Sequence, residues 1–218
     1  MKLKRPQNLL TQAFTLIELL VVITIIAILG SLALSQFTKT MENARNLQVL
    51  TVIKDLRIAI SSYQVEYNRY PVNPSLLTSG DSGEDIPAFE TDENTGLVDA
   101  LTSTQASASG SSGGAVNLNP KDIKFIDLPV AKNGQFGLVG AQPPFRLTDL
   151  WGSTYLVLLD TNGDRQVNNP DLQNSDPSIS QNANNPPPQR LPTEIAIYSL
   201  GLDKTASTKD DLTSWRTK

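Results

Sequence analysis

Residues 14–34 read FTLIELLVVITIIAILGSLAL, a stretch that contains a single charged residue, Glu18. A run of about twenty apolar residues is long enough to cross a bilayer as an α-helix. An ionised carboxylate at the middle of such a helix costs roughly 2.5–3.5 kcal/mol, so an acidic residue there is a candidate for function. Glu18 lies near the start of the run, where water is closer. The stretch therefore predicts a membrane helix with one functional carboxylate.

The residues before this run, Met1 to Ala13, include Lys2, Lys4 and Arg5 and no acidic residue. Basic residues ahead of a first apolar helix hold that end of the chain in the cytoplasm. The rest of the chain is therefore expected on the other side of the membrane.

The start of the chain resembles the signal of type IV prepilins and type II secretion pseudopilins. The shared features are, in order, a basic leader, a small residue and the sequence Phe14-Thr15-Leu16-Ile17-Glu18-Leu19-Leu20. The resemblance implies cleavage by a prepilin peptidase between Ala13 and Phe14, followed by N-methylation of Phe14. It also implies that Glu18 neutralises the Phe14 amine of a neighbouring subunit during assembly. The family usually has Gly before the cut, where this chain has Ala13.

Two simpler interpretations compete for the same run. It is compatible with an ordinary secretory signal that is cut after Ala33, or with a plain membrane anchor. Neither explains a carboxylate at the fifth position of the run, because an unpaired carboxylate within a membrane is disfavoured. The prepilin interpretation is therefore preferred.

The composition of the 218 residues excludes several classes of function. The net charge is −4, and the chain contains neither Cys nor His. Binding to nucleic acid needs a basic surface, which this charge does not favour. Disulfides, thiol chemistry and imidazole-based catalysis are excluded, whereas carboxylate-based hydrolysis and the binding of hard cations stay open.

Residues 35–67 contain no Pro and no Gly, and their apolar residues recur every three or four positions. This spacing predicts an amphipathic helix with one apolar face. The predicted stripe is Phe37, Met41, Ala44, Leu47, Leu50, Ile53, Leu56, Ile60, Tyr63 and Tyr67. We expect one helix from about Phe14 to Asn68, because the residue before Pro71 avoids helical angles. The Tyr-Pro ending resembles the end of the pseudopilin helix.

The rest of the chain predicts an α+β fold, in which the long N-terminal helix packs on a small antiparallel sheet. Five segments are expected. They are the leader (1–13), the membrane-spanning and assembly helix (14–34), its amphipathic continuation (35–70), a variable connection (71–146), and the sheet with a C-terminal acidic loop (147–218). Within the connection we expect helical turns at 76–77 and 97–101 and a short strand at 124–128. A flexible low-complexity loop is expected at 102–114.

Two strands are predicted in the last segment, at 155–159 and 194–199. Leu147 to Tyr155 resembles the Asp-Pro-Trp-Gly-x-x-Tyr segment of major pseudopilins, with Leu150 where Pro is usual. The expected aromatic core residues are Trp151, Tyr155 and Tyr198.

The C-terminal loop contains three carboxylates, those of Asp203, Asp210 and Asp211. Calcium takes six to eight oxygen ligands, and carboxylates this close repel one another without a compensating cation. Residues 199–215 resemble the calcium loop of type II secretion major pseudopilins, which implies that these aspartates and the Leu200 carbonyl are ligands. The alternative is a solvated acidic loop.

Residues 160–171, DTNGDRQVNNPD, half-match a calcium loop of the EF-hand or dockerin kind. The weaker candidate ligands are Asp160, Asn162, Asp164 and Asp171. Arg165 stands where the EF-hand turn needs Gly. A β-hairpin with Asn162-Gly163 as its turn is the favoured alternative.

These features predict a structural, non-enzymatic subunit: a pseudopilin or minor pilin of a type II secretion or type IV pilus-like filament. The resemblance implies a single-pass protein of the bacterial inner membrane with its head in the periplasm. Its implied partners are copies of itself, other pseudopilins, the prepilin peptidase and the inner-membrane assembly platform, and its expected cofactor is calcium. The alternatives are a membrane-anchored periplasmic calcium-binding or hydrolytic protein, and a dockerin-like adhesion module.

Overall fold

The computed structural model describes residues 14–77, 84–103, 107–108, 116–184 and 186–216. For residues 32–38, 107–108 and 116 it describes the backbone alone. The predicted leader lies outside the described residues, as does most of the low-complexity stretch 102–114. The chain divides into two compact units, residues 1–44 and 45–218.

The described residues form one long helix, several short helices and ten short strands. The helices are α1 (Leu16–Tyr67), α2 (Pro74–Leu77), α3 (Leu97–Thr102) and α4 (Pro177–Ser180), with a 3-10 helix at Pro170–Gln173. The strands are β1 (Phe89–Glu90), β2 (Ser107–Ala108), β3 (Val116–Asn117), β4 (Gly137–Val139), β5 (Arg146–Thr148), β6 (Tyr155–Leu159), β7 (Val167–Asn168), β8 (Arg190–Leu191), β9 (Ile195–Ser199) and β10 (Leu212–Thr213). The prediction of an α+β fold with a long N-terminal helix on an antiparallel sheet is confirmed.

Helix α1 is 52 residues long, and its ends lie within two residues of the predicted Phe14 and Asn68. The helix ends where Asn68 adopts a φ of 51°. Asn is one of the few residues that take this left-handed conformation readily, and a left-handed residue commonly closes a helix. Pro71 then prevents the helix from resuming.

The buried face of α1 differs from the predicted stripe in its first part. The predicted residues that are fully buried are Ile53, Leu56, Ile60 and Tyr63. Those that are exposed are Met41, Ala44 and Leu47. Val49, which is 0 % exposed, begins the true stripe. Leu47 and Leu50 satisfy the same spacing of three and four, so the pattern alone could not show which apolar side chain meets the sheet.

The central sheet has four antiparallel strands in the order β1-β6-β9-β10. The two predicted strands are confirmed as β6 and β9, which pair over five residues, from Tyr155 opposite Ser199 to Leu159 opposite Ile195. The edge strands β1 and β10 have two residues each. Strands this short carry no readable alternation of apolar and polar residues, so the sequence did not predict them.

Both faces of the two central strands are buried. The odd-numbered positions join a core with α1, and they are Tyr155, Val157, Leu159, Ile195 and Ile197. The even-numbered positions join a second cluster, which comprises Leu158, Ala196 and Tyr198 with Val167 and Leu191. Since alternate residues of a strand point to opposite faces, α1 covers one face and the connection between β6 and β9 covers the other. Burial on both faces explains why both strands are continuous apolar runs.

Asp149 organises the turn that leads into β6. It is fully buried, and its Oδ1 accepts the backbone N–H groups of Trp151 and Ser153 at 2.9 Å each. Its Oδ2 accepts the Ser199 hydroxyl at 2.6 Å, which ties the turn to β9. Burial raises the pKa of Asp149, although these hydrogen bonds act in the opposite direction. The aspartate of the segment that resembles major pseudopilins is therefore a buried structural carboxylate.

The predicted aromatic residues all contribute to the two clusters. Tyr155 is 0 % and Tyr198 5 % exposed, while Trp151 is half-buried against the core that includes α1. The helical turns predicted at 76–77 and 97–101 are confirmed as α2 and α3.

The strand predicted at 124–128 is wrong, because these residues, all of which the structure describes, form no strand. The N–H groups of Phe125 and Ile126 instead donate to the Leu101 carbonyl at 2.9 and 3.2 Å. The apolar segment therefore serves to close the end of α3 and to fill the core.

The burial pattern of α1 can be tested with two Leu→Ala substitutions in the same helix. We expect Leu56→Ala to lower the free energy of unfolding by about 2–5 kcal/mol, because it empties a fully buried site. Leu47→Ala should change it by less than about 0.5 kcal/mol, because Leu47 is exposed. Urea unfolding of the full chain in detergent, followed by circular dichroism, measures both. A larger loss for Leu47→Ala would instead support the predicted stripe.

Candidate functional site

The first turn of α1 contains a reciprocal set of hydrogen bonds between Thr15 and Glu18. Glu18 Oε2 accepts the Thr15 backbone N–H at 2.9 Å and its hydroxyl at 2.7 Å, and the Thr15 hydroxyl oxygen accepts the Glu18 N–H at 3.3 Å. This is a capping box, which satisfies N–H groups that have no partner within the helix. This role of Thr15 was not among the predictions, although the Thr-x-x-Glu spacing ahead of an apolar run is the signal of a capping box.

The apolar residues that follow are exposed on every side of the helix. Each residue from Phe14 to Ser31 is exposed, including Phe14 at 75 % and Leu16 at 82 %. A helix that is apolar all round needs a partner that buries it, and a large exposed apolar surface marks contact with protein or membrane. Within the described residues, no helix combines the length and the hydropathy that a bilayer crossing requires.

The family model of the prokaryotic N-terminal methylation motif matches residues 10–34. This motif is the prepilin-type cleavage and methylation signature of pseudopilins and type IV pilins, so the predicted resemblance is confirmed. No curated protein and no solved structure matches the chain.

The motif supports a type IV pilin-like or pseudopilin subunit. It marks structural subunits that are generally not enzymes, and it is typical of membrane-anchored pilin-type proteins. It also implies processing by a prepilin peptidase and assembly into pilin-like filaments. Of the two residues at the expected cut, Phe14 is exposed and Ala13 lies outside the described residues.

In the C-terminal loop, the Asp210 carboxylate connects the two ends. Its Oδ2 accepts the Asp203 N–H at 3.0 Å, and its Oδ1 accepts the Thr208 hydroxyl at 2.8 Å. Gly201 has a φ of 69°, and a Cβ at this position would lie 2.5 Å from the Asp210 carbonyl oxygen. Asp203 Oδ1 accepts the Thr205 N–H at 2.8 Å. The carboxylates thus hold the loop through N–H and hydroxyl donors.

Asp211 is the buried carboxylate of this loop, with 4 % exposure. Burial raises its pKa to about 6, while the hydrogen bond from the Thr208 N–H and the charge of Arg216 act in the opposite direction. In the folded chain the pKa of Asp211 lies above its ordinary value of 3.8. The contribution of this carboxyl group to folding stability is therefore fully present below pH 3.8 and is lost as the pH rises through about 6. At neutral pH a buried negative charge remains, which a cation would stabilise.

In the part of the chain that the structure describes, no group of three or more acidic side chains could hold a metal ion. The oxygens of Asp203, Asp210 and Asp211 have the chemistry that calcium prefers. As arranged, they accept hydrogen bonds within the loop, and Leu200 is half-buried against the second cluster. The present arrangement does not form a calcium shell, so the predicted site needs these oxygens to turn towards an ion. Calcium here stays a prediction.

The weaker candidate, residues 160–171, does not form the favoured β-hairpin. Strand β7 follows the loop but pairs with β8 instead of β6. The Asp160 carboxylate accepts two backbone N–H groups of its own loop at 2.7 Å each, and Asn162 Oδ1 accepts the Asp164 N–H at 2.9 Å. The side-chain oxygens of these predicted ligands are therefore used by the backbone of the loop.

Arginine side chains supply the positive charge around this second loop. The Arg190 guanidinium pairs with the buried Asp85 carboxylate and lies 3.2 Å from Asp164 Oδ2. Asp171, the last predicted ligand, pairs with Arg216 of the C-terminal segment. Because guanidinium groups already stabilise these carboxylates, the structure gives calcium no support at residues 160–171.

Thermal melting tests the calcium prediction. We expect the full chain in detergent to melt several degrees higher in calcium than in chelator, since a hundredfold excess over Kd stabilises a fold by about 2.7 kcal/mol. Asp210→Ala with Asp211→Ala should abolish most of this shift. Asp160→Ala with Asp164→Ala is the matched control and should leave most of it.

Acid and magnesium provide two further controls for this experiment. The shift should shrink below about pH 6, because calcium binds the deprotonated carboxylate and the pKa of Asp211 is about 6. Magnesium should substitute poorly, because it demands tighter octahedral geometry. If the Asp160→Ala and Asp164→Ala variant loses the calcium-dependent rise in melting temperature and the Asp210→Ala and Asp211→Ala variant keeps it, the ion binds at residues 160–171. If the parent chain shows no rise in melting temperature with calcium, the C-terminal loop does not bind calcium.

Proposed function

We propose that the protein is a pseudopilin or minor pilin of a type II secretion or type IV pilus-type machine. The helix of residues 14–34 inserts in the bacterial inner membrane, and the head lies in the periplasm. A prepilin peptidase cuts between Ala13 and Phe14, and Phe14 is then N-methylated. Copies of the chain, other pseudopilins and the inner-membrane assembly platform are its partners. The helix that the methylation motif includes is exposed and apolar on every side, and this observation supports the proposal most directly.

The turn before β6 favours the type II secretion branch of this proposal. Asp149, Trp151, Gly152 and Tyr155 occur in the order of the major pseudopilin segment. Gly152 has a φ of 86°, a conformation that favours glycine, and its N–H donates to the Asp149 carbonyl at 3.1 Å. The residue types shared with that segment are thus the ones that build this turn.

Glu18 acts in assembly as the partner of a new positive charge. Cleavage after Ala13 turns the Phe14 nitrogen into an ammonium group, which is costly to leave unpaired in a low-dielectric filament core. The capping box engages Glu18 Oε2, and a carboxylate has acceptor capacity for a further donor. The Glu18 side chain can therefore cap its own helix and also neutralise the ammonium group of a neighbouring copy.

Two substitutions separate the charge of Glu18 from its capping role. Gln is accepted at this position of a capping box, so Glu18→Gln keeps the cap and removes the charge. We expect Glu18→Gln to insert and be processed normally, because loss of a carboxylate eases insertion, but to assemble poorly. Thr15→Ala damages the cap, keeps the charge and should still assemble. Electron microscopy and sheared-filament yields after overproduction measure assembly.

The opposite result would contradict this mechanism. If Glu18→Gln forms filaments at the wild-type level and Thr15→Ala does not, the carboxylate acts only as a helix cap. If the wild type neither forms filaments nor enters filaments of other pilin-like subunits when the prepilin peptidase and the assembly platform are present, the proposed function itself is wrong.

A further inference from the structure

A groove of about 560 Å³ lies on the head, between Arg57 of α1, the connection from β6 to β9 and the C-terminal segment. Pockets that bind ligands commonly enclose about 300–1,000 Å³ and combine apolar walls with a few polar groups. This groove has both kinds of lining, and we call it the Arg57 groove. Its apolar walls include Ile179, Pro186, Pro187, Pro188, Pro192 and Trp215.

Trp215 gives the groove an aromatic wall that is already held in position. Its indole N–H donates to Asp171 Oδ2 at 2.8 Å, and its ring meets the Tyr198 ring edge-on, with the centroids 5.8 Å apart. The side chain is half-buried, so it keeps surface for a ligand. Aromatic-lined grooves bind extended, proline-containing peptides, and a wall that is positioned beforehand lowers the entropic cost of binding. The wall therefore suits an extended peptide.

Arg57 brings a positive charge that forms no ion pair with any of the described residues. Its guanidinium donates to the Thr193 hydroxyl at 3.1 Å, which is a neutral acceptor, and the side chain is exposed. A guanidinium has five N–H donors and binds a carboxylate through two of them at once. Arg57 therefore has both the charge and the donors to bind one carboxylate of a ligand.

The other arginines at the groove are already paired within the head. Arg216 pairs with the buried Asp171 carboxylate. Arg165 Nε lies 3.7 Å from Glu194 Oε1, and Arg165 lines an adjoining recess of about 310 Å³, of which Arg57 is also part. A polyanion with a charge on every unit would bring further negative charge close to Asp171 and Glu194, which is unfavourable. The arrangement therefore favours a ligand with one carboxylate among apolar groups.

We propose that the Arg57 groove is a docking site for an extended segment of a partner protein, in which an acidic side chain lies between apolar residues. The acidic side chain pairs with Arg57, and its apolar neighbours lie against Trp215 and the proline wall. An extended chain fits better than a compact small molecule, because the lining continues past Arg57 into the adjoining recess. The proposal goes beyond the proposed function and stands without it, because the residues that carry it belong to the head alone.

A peptide array that is probed with the full chain in detergent tests this docking. The probes are pentapeptides with Asp or Glu at the centre and Leu, Val, Phe or Pro at the other positions, each beside its counterpart with Asn or Gln at the centre. We expect a subset of the acidic peptides to bind about two- to fivefold more strongly than their amide counterparts, the size expected for one exposed ion pair. Equal binding of acidic and amide peptides across the array, or no binding at all, would overturn the proposal.

Arginine substitutions show whether the bound peptides occupy the Arg57 groove. Arg57→Gln should abolish the preference for acidic peptides, because it removes the charge and keeps a polar side chain. Arg146→Gln is the matched control and should keep the preference, since Arg146 is an exposed arginine of β5 that lines neither recess. Circular dichroism checks that both variants are folded. A preference that survives Arg57→Gln would mean that the acidic side chain binds elsewhere and would overturn the proposal.

Tryptophan fluorescence gives a second readout without a change in the groove itself. The chain has two tryptophans, so Trp151→Phe leaves Trp215 as the reporter. Titration with the strongest acidic peptide should change the Trp215 emission with saturation, whereas an unchanged emission on binding would place the peptide outside the groove and overturn the proposal. Oligogalacturonate is the competing probe. Binding of this polyuronate without any acidic peptide would assign the groove to a carbohydrate and would also overturn the proposal.

Discussion

The first half of α1 is apolar on every side, and within the described residues the chain leaves it exposed. Burial of apolar surface is the largest favourable contribution to folding and association, so this helix demands an external partner. The capping box of Thr15 and Glu18 lets the helix begin at its apolar end, where the proposed cleavage would create the new N-terminus. Under the proposed function, the carboxylate of Glu18 serves assembly as well as helix formation.

The second half of α1 belongs to a head that folds without disulfides, because the chain has no Cys. Its long connections are held by buried carboxylates instead. Asp149 ties the turn before β6 to β9, Asp85 pairs with Arg190, and Asp171 pairs with Arg216 near the C-terminus. Removing one partner of such a buried pair costs more than the pair contributes, because a charge is left uncompensated. Asp149, Asp85 and Asp171 are therefore structural carboxylates.

The sequence predicted the features that depend on long patterns. The limits of α1, the strands β6 and β9 and the methylation motif were all readable, because each extends over several residues with one periodicity or order. The register of the stripe at Leu47 was wrong, since neighbouring apolar residues satisfy the same spacing. Contacts between distant segments, such as the ion pairs of Arg190 with Asp85 and Asp164, depend on tertiary structure and left no local pattern.

Processing of the chain as a prepilin is tested most directly by the intact mass of protein extracted from membranes. Cells that contain a prepilin peptidase should give a chain of 205 residues that begins at Phe14, the 218 of the sequence less the 13 of the leader, with one added methyl group. Cells without the peptidase should give the uncut chain. A mass that corresponds to an intact Met1 in both, or to a start after Ala33, would contradict the account.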